Sequence, residues 1–523
     1  MIFSIYTSIN ISLILKINGN KELRENYLLV YIRNFYWWDI IIFICLTVFI
    51  YFLTCLLINK VIPKLYNWNL KYISVNNTSI KYLNHKIFLI ILGIWLLFFL
   101  TFYPGSTMND TIYILQNPWK LSNQHPILYN LYLYGFYQIG CCLGNPNLGL
   151  ALLSLFQMLC MDYVLTKAIS IFYTKRASSR LCLFLTLYFA LSPIFSIYAI
   201  SAIKDTPFSI CLFALVMYLY ELAESKGALF NSKNYIVRII LCTFGIISFR
   251  NNGFIIIIGL CIILSLIYKH YRTKIVLLFV GILIGQKLLC MTLIPAENEP
   301  LFQESVGIPI QQIGAAVVKG KPLTPNQEEY LYTLLPKEQW QCYSPACSDN
   351  LKWNAHFDRE FLNQTKLQFL RIWFELFLQN PKIYTEAYIL NTYGIWGIET
   401  RNKEQYYFTL IDDNTLGLIQ KSPLPEMLRY LIAHYYCNRF TCRYLSMGTA
   451  YWILFATTLW ILYKKSYLHF TITIPLWMLF ISLLLATPIA FAFRYGFVMS
   501  MILPFIIFSV IILPIQNNKV YSL

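Results

Sequence analysis

Charge is scarce in this 523-residue chain: Lys, Arg, Asp and Glu together supply 12% of its residues, about half of what a soluble domain carries. With 58% hydrophobic and 17% aromatic residues beside it, that scarcity excludes a water-soluble globule. Histidine is sparse too. His85, His125, His270, His356, His434 and His469 show no close ligand spacing, which argues against a soluble-type metal site. No Gly-rich phosphate loop, tandem repeat, heptad run or low-complexity tract occurs.

What the chain has instead is apolar runs of about 17 to 22 residues, each long enough to cross a hydrocarbon core as a helix. They fall at about 38–58, 85–102, 147–168, 181–199, 206–223, 234–250, 253–268, 275–293, 449–463, 469–491 and 496–514. The expected class is an all-α polytopic membrane protein. The net charge of +17 does not point to nucleic acid, because Lys and Arg sit in short clusters between apolar runs and read as topology signals. Of the 24 acidic residues, 16 lie between 294 and 448, where 14 basic ones nearly balance them. The expected organisation is residues 1–37 of open placement, 38–293 membrane helices, 294–448 a mostly helical extracytoplasmic domain and 449–523 the last membrane helices. A short further span near 2–15 stays open.

The positive-inside rule puts the loops holding Lys71, Arg176, Lys226, Arg272 and Lys464 in the cytoplasm. Alternation then closes only if 126–142, rich in tyrosine and followed by Gly144, Asn145 and Pro146, lies along the outer surface instead of crossing. A true span there, with an error elsewhere, is the alternative. Cys342 with Cys347 and Cys437 with Cys442 suit two disulfides outside the cytoplasm, or free thiols.

Only eight acids lie outside the large polar segment, and of these Asp39, Asp110 and Asp205 fall at outer ends of spans. Asp39 follows Trp37 and Trp38 and reads as an interface anchor. Asp110 sits in the first outer loop; Lys204-Asp205, Arg250-Asn251-Asn252 and Arg494-Tyr495 make later outer turns, and His125 opens the surface stretch. Residues far apart in sequence thus share one membrane depth, where charges are costly enough to suggest function. Carboxylates there serve as general base and cations hold a phosphate leaving group, which suits transfer of a sugar from a lipid phosphate to a hydroxyl. Structural readings stand beside each: a helix cap for Asp110, a helix N-terminal charge for Asp205, snorkelling for Arg250 and Arg494, turn ordering for His125.

The order of an outer-loop aspartate, then His125-Pro126-Ile-Leu-Tyr, then a span, a basic loop and Leu191-Ser-Pro resembles GT-C glycosyltransferases. More closely, Tyr103-Pro-Gly with Asp110 and Gln116, Lys204-Asp205, Pro309-Ile-Gln-Gln312, Asn391-Thr-Tyr-Gly-Ile-Trp396 and Arg494-Tyr495 resemble a bacterial group of GT-C-like membrane proteins over about 100–500. The resemblance implies a GT-C-like helix bundle in a bacterial inner or cytoplasmic membrane. It implies an inverting transferase with a polyprenyl-phosphate sugar donor and a cell-envelope glycan or lipid acceptor, no nucleic acid being involved. Asp110, Asp205 and His125 are then the expected catalytic residues. Lys204, Arg250, Asn251, Arg494, Tyr495, Gln116, Gln312 and Trp396 are expected to bind substrate, with Gln311, Gln312, Tyr393 and Trp396 facing the cleft. Where GT-C enzymes carry an adjacent acidic pair this chain has Asp110 alone, which leaves Mg2+ or Mn2+ open. An oligosaccharide polymerase or ligase with a lipid-diphosphate donor is the near alternative. A lipid or glycan transporter is the distant one, disfavoured because no repeat or pair of broken helices is seen and charges cluster at one end of the spans.

Overall fold

In a bilayer every backbone polar group must find its partner within the protein, so a chain this apolar crosses as helices. The computed structural model describes residues 1–17, 32–61, 77–117, 125–175, 179–293, 302–398, 409–437, 445–486, 489–490 and 492–512. Among them the secondary structure is helical, with isolated bridges in place of strands. Six helices are long and apolar enough to cross a membrane, seven if one bent pair counts as a span. The protein is an all-α, multi-pass integral membrane protein.

Helix α1 (Ile2–Lys16) precedes α2 (Trp37–Leu56), which a π turn extends to Val61. α1 buries Ser4, Thr7, Ser8 and Asn10, because one polar side meets protein. Asn10 donates to the Trp396 carbonyl (2.6 Å) and accepts from the Ile398 amide (3.0 Å), while Trp452 donates to Thr7 (2.8 Å). The amino-terminal segment is therefore a short helix docked on the bundle. α2 differs: none of its residues is buried.

α3 (Asn77–Thr101) leads to the outer loop and α4 (Asn109–Gln116), then α5 (Ile127–Cys142) and the 29-residue α6 (Pro146–Thr174). Gly140 and the Phe136 ring of α5 meet the first part of α6, between Gly149 and Phe156, and the Tyr132 ring also meets that of Phe249, 5.7 Å between centroids. A Cβ on Gly140 would stand 2.4 Å from the Gly149 amide nitrogen, so glycine is what lets the two backbones meet. Tyr137 also donates to the Leu416 carbonyl (3.2 Å) of the outer segment. α5 thus packs on the first half of α6 and on the segment around Leu416.

α7 (Ser179–Leu191) and α8 (Pro193–Ile200) are one run bent by 54° at Pro193, whose missing N–H and ring break the helix. α9 (Asp205–Glu224), α10 (Lys233–Phe249), α11 (Gly253–Ile267) and α12 (Arg272–Leu293) follow. The segment that the sequence assigns to an outer domain adds α13 (Gly307–Lys319), α14 (Pro325–Leu334), α15 (Lys366–Gln379), α16 (Pro381–Trp396) and α17 (Glu426–Cys437). Its own core gathers Ile310, Leu334, Trp340, Phe369 and Leu376. α18 (Met447–Tyr463), α19 (Ile474–Ala486) and α20 (Phe497–Ile512) close the bundle.

Two expectations change. Cys342 and Cys347 carry free thiols; the Cys437 side chain and Cys442 lie outside the described residues. Charge is also not confined to span ends. Asp162, within α6, is fully buried and accepts one bond from Thr166 (3.2 Å), its second oxygen having no partner.

Candidate functional site

The outer loop is fastened to the stretch between α8 and α9 before any charge is considered. Ser106 and Ser201 pair as parallel strands do, through Ser106 N to Ile200 O (3.2 Å) and Ala202 N to Ser106 O (2.9 Å). Ser154 of α6 donates to both Pro104 O and Ile200 O, each at 3.1 Å. Gly105 sits at φ +132°, and a Cβ there would lie 2.3 Å from the Ser154 oxygen; only glycine meets both demands. The Ala202 carbonyl then accepts from Thr111 (2.6 Å) and Tyr129 (2.9 Å). This join brings Asp110, His125 and Lys204 together.

Lys204 donates to His125 Nδ1 across 3.1 Å, which leaves the imidazole proton on Nε2. Burial and the charge of Lys204 push His125 down to about 4, so it is neutral at pH 7. Burial also lowers the pKa of Lys204 itself, Asp110 offsetting only part of the loss. Asp110 goes the other way. Burial raises its pKa, but Lys204 and Arg494 outweigh that and hold the carboxyl below the usual range.

Two arginines complete the group. Arg494 lies in the turn before α20 and reaches Asp110 Oδ2 at 3.3 Å. Arg250 ends α10 and approaches Asp205 Oδ1 at 3.5 Å. Tyr495 lies between them, its ring 4.8 Å from the Arg250 guanidinium and 5.1 Å from that of Arg494. The outer domain supports this turn indirectly. Gln311 donates to Ser344 O (3.0 Å) and Pro345 O (2.8 Å), and Ala346 O in turn accepts from Ala490 N (2.9 Å), four residues before Arg494.

The two carboxylates differ in access. The Asp110 side chain is 40% exposed, that of Asp205 1%, so an incoming group can reach the first. Neither oxygen of Asp205 has a hydrogen-bond partner. Removing such an ion from water costs several kcal/mol, and a contact near 4 Å returns only about 4 kcal/mol at an effective dielectric of ~20. Asp205 is thus an acceptor short of donors. Among the described residues three cations face two carboxylates here, an excess of one positive charge. Mg2+ or Mn2+ needs a set rich in oxygen ligands; here each carboxylate faces an arginine. Among the described residues no group of three or more His, Cys, Asp or Glu forms, so those residues do not supply a donor set for a divalent cation.

Not every expected site residue joins this cluster. Asn251 is exposed in the turn beside Arg250. Gln116 donates to Thr415 (3.3 Å) on the surface. Gln312 donates to Tyr384 O and accepts from Trp373, and Tyr393 is fully buried. Trp396 donates to Thr392 one turn back. The Gln311 amide nitrogen and both ends of the Gln312 amide are therefore engaged inside the outer domain, where both side chains are buried and do not face a cleft, a correction to the sequence reading. Tyr451 of α18 is a residue the sequence did not single out. It is fully buried, its hydroxyl has no partner, and Arg250 stands close enough to act on it electrostatically. Nothing local marks it, for it is one tyrosine among 40.

Residues 36–519 match the DUF6020 family, a family of unknown function, and the chain belongs to it. No curated protein and no solved structure matches the chain.

Proposed function

We propose that this membrane protein is a glycosyltransferase of the GT-C type, moving a sugar from a polyprenyl-phosphate donor to a glycan or lipid acceptor of the cell envelope. The observation that carries this reading is the excess positive charge of Lys204, Arg250 and Arg494 beside an ionised, accessible Asp110. An anion neutralises the surplus, and the carboxylate supplies a base at the same place.

The acceptor hydroxyl gives its proton to Asp110 as its oxygen bonds to the anomeric carbon. The bond from that carbon to the phosphate oxygen breaks, and its electron pair leaves with the phosphate. Arg250, Arg494 and Lys204 hold the charge that develops there. Asp205, buried and approached by Arg250 at 3.5 Å, steadies that guanidinium. The lipid tail stays in the bilayer, which is why such a site belongs at the ends of spans.

The test is transfer by purified protein supplied with a polyprenyl-phosphate sugar. Asp110→Asn keeps size and most hydrogen bonding but removes the base, so turnover should fall roughly 100-fold or more while donor binding persists. Wild-type rates in Asp110→Asn together with an inactive Asp205→Asn would move the base to Asp205. Full activity in both variants would sink the mechanism.

A further inference from the structure

α17 poses a question that the transferase reading does not touch. Its sequence sorts into two helical faces, with Met427, Leu428 and Leu431 on one and Glu426, Arg429, Tyr430 and His434 on the other. The three apolar side chains are exposed, yet the helix lies against the end of a membrane span. Just before α17, Ser422 donates to Leu100 O (2.8 Å) of α3. Near the other end, Tyr435 donates to Leu191 O (2.8 Å) and sets its ring 6.3 Å from that of Phe98. Phe98 lies about one turn inside the end of α3, so α17 sits where headgroups meet acyl chains, its apolar face toward lipid.

Between the polar face of α17 and the end of α3 is a cavity of about 330 Å3, whose lining includes Thr101, Gln420, Glu426, Arg429 and Tyr430. Two of these carry opposite charge. Among the described residues neither the Glu426 carboxylate nor the Arg429 guanidinium has a hydrogen bond or an ion pair, not even with the other. Residues three apart on a helix have Cβ atoms about 5–6 Å apart, a spacing like that between the phosphate and the ammonium of an ethanolamine headgroup. From the cavity α3 offers a path into the bilayer. Leu97, Gly93 and Ile90 follow Thr101 at helical spacing, all three exposed, and a Cβ on Gly93 would meet nothing within 4 Å.

We propose that this cavity holds the headgroup of a zwitterionic phospholipid with a primary amine, phosphatidylethanolamine, its phosphate on Arg429, its ammonium on Glu426 and one acyl chain along Leu97, Gly93 and Ile90. A guanidinium fork suits a phosphate, and a carboxylate accepts from an ammonium. One acid beside one base selects a headgroup that carries both signs, because a purely anionic one sets its phosphate near Glu426 with no cation to offset it. The exposed stripe of α3 selects a ligand with a chain over a soluble zwitterion or a glycan. The bound lipid holds α17 to α3, whose end leads into the loop of Asp110.

Native mass spectrometry of delipidated full-length protein, re-supplied with phosphatidylethanolamine and phosphatidylglycerol of equal chain length, tests this. An exposed ion pair at a headgroup contributes up to about five-fold, so the protein should retain phosphatidylethanolamine about that much better than phosphatidylglycerol, which has no ammonium. Arg429→Gln should lower retained phosphatidylethanolamine by a similar factor, and Glu426→Lys should reverse the order in favour of phosphatidylglycerol. Both side chains are exposed and unpaired, so neither replacement removes a contact that the fold uses. Equal retention of the two lipids, or an unchanged order in Glu426→Lys, overturns the proposal. So does displacement of the lipid by glycerophosphoethanolamine, which has no acyl chain, or by maltotriose, which would make the cavity a glycan site. Transfer activity is not the readout, so the outcome does not depend on the function proposed above.

Discussion

Two lysines, Lys204 half-buried at the membrane face and Lys352 buried in the outer domain, sit in opposite electrostatic situations. Lys352 is 2% exposed and is held by Glu304 at 2.7 Å and Asp349 at 3.0 Å. Burial works against its charge, but the two acids outweigh burial and raise its pKa. Lys204 has a neutral histidine as its hydrogen-bond partner and two arginines in range, and its pKa is lowered. One cluster is closed, with short contacts and an excess of acid. The other is open, with contacts of 3.3 and 3.5 Å and an excess of base. A protein gains nothing in stability from the second arrangement; it makes sense as a place where an anion arrives.

The largest way to sharpen the comparison is to remove cations from the open cluster. Arg250→Ala and Arg494→Ala should each weaken donor binding by roughly 30-fold, a loss of about 2 kcal/mol for a charged hydrogen bond, and turnover should fall as well, since the phosphate is held in ground and transition states alike. Melting temperatures should stay near wild type or rise. If the arginines anchor only the fold, melting falls and donor affinity of the folded fraction is unchanged. Lys352→Met should do the reverse. Removing the cation leaves two partly buried acids without their partner, and stability should drop by about 2 kcal/mol, read as a lower melting temperature with turnover per folded molecule intact. A Lys352→Met protein that melts as wild type would erase the distinction drawn between the clusters.

Much of this was legible in the sequence because a bilayer imposes its own arithmetic. Helical structure falls within each of the eleven expected spans, but six of these helices are long and apolar enough to cross, or seven with the pair bent at Pro193, since run length and hydropathy leave little choice. Asp110, His125, Lys204, Asp205, Arg250 and Arg494 could be gathered by depth alone, the last four lying at the same end of spans and the first two in the loop and surface stretch beside them. Gln312 and Trp396 could not be placed that way. They belong to an outer domain whose packing is ordinary tertiary structure, and a motif quotes their order without saying which way an amide faces. Asp162 went unread for the opposite reason: its helix is so apolar overall that one carboxyl does not alter the run. α1, with 15 residues, was too short for a span and showed its role only through Asn10 and Thr7 meeting the bundle.

The smallest expected effect is a pH dependence, and it runs oppositely in the two clusters. Because the folded pKa of Lys204 is lowered, its ammonium loses its proton at a lower pH than the ordinary lysine value of about 10.4. Donor affinity should therefore fall by about five-fold as pH rises from neutrality toward that value. Stability moves the other way there, because the unfolded chain binds the proton more tightly than the fold does. For Lys352, whose folded pKa is raised, the stabilisation is complete below the ordinary lysine pKa and is lost as pH passes the raised one. Lys204→Arg separates the cases. Arginine keeps its charge throughout this range, so the variant should hold the donor with the same affinity at neutral and alkaline pH. A wild-type affinity that is flat up to the ordinary lysine range would mean that Lys204 does not face the phosphate, and the positive surplus would then rest on Arg250 and Arg494 alone.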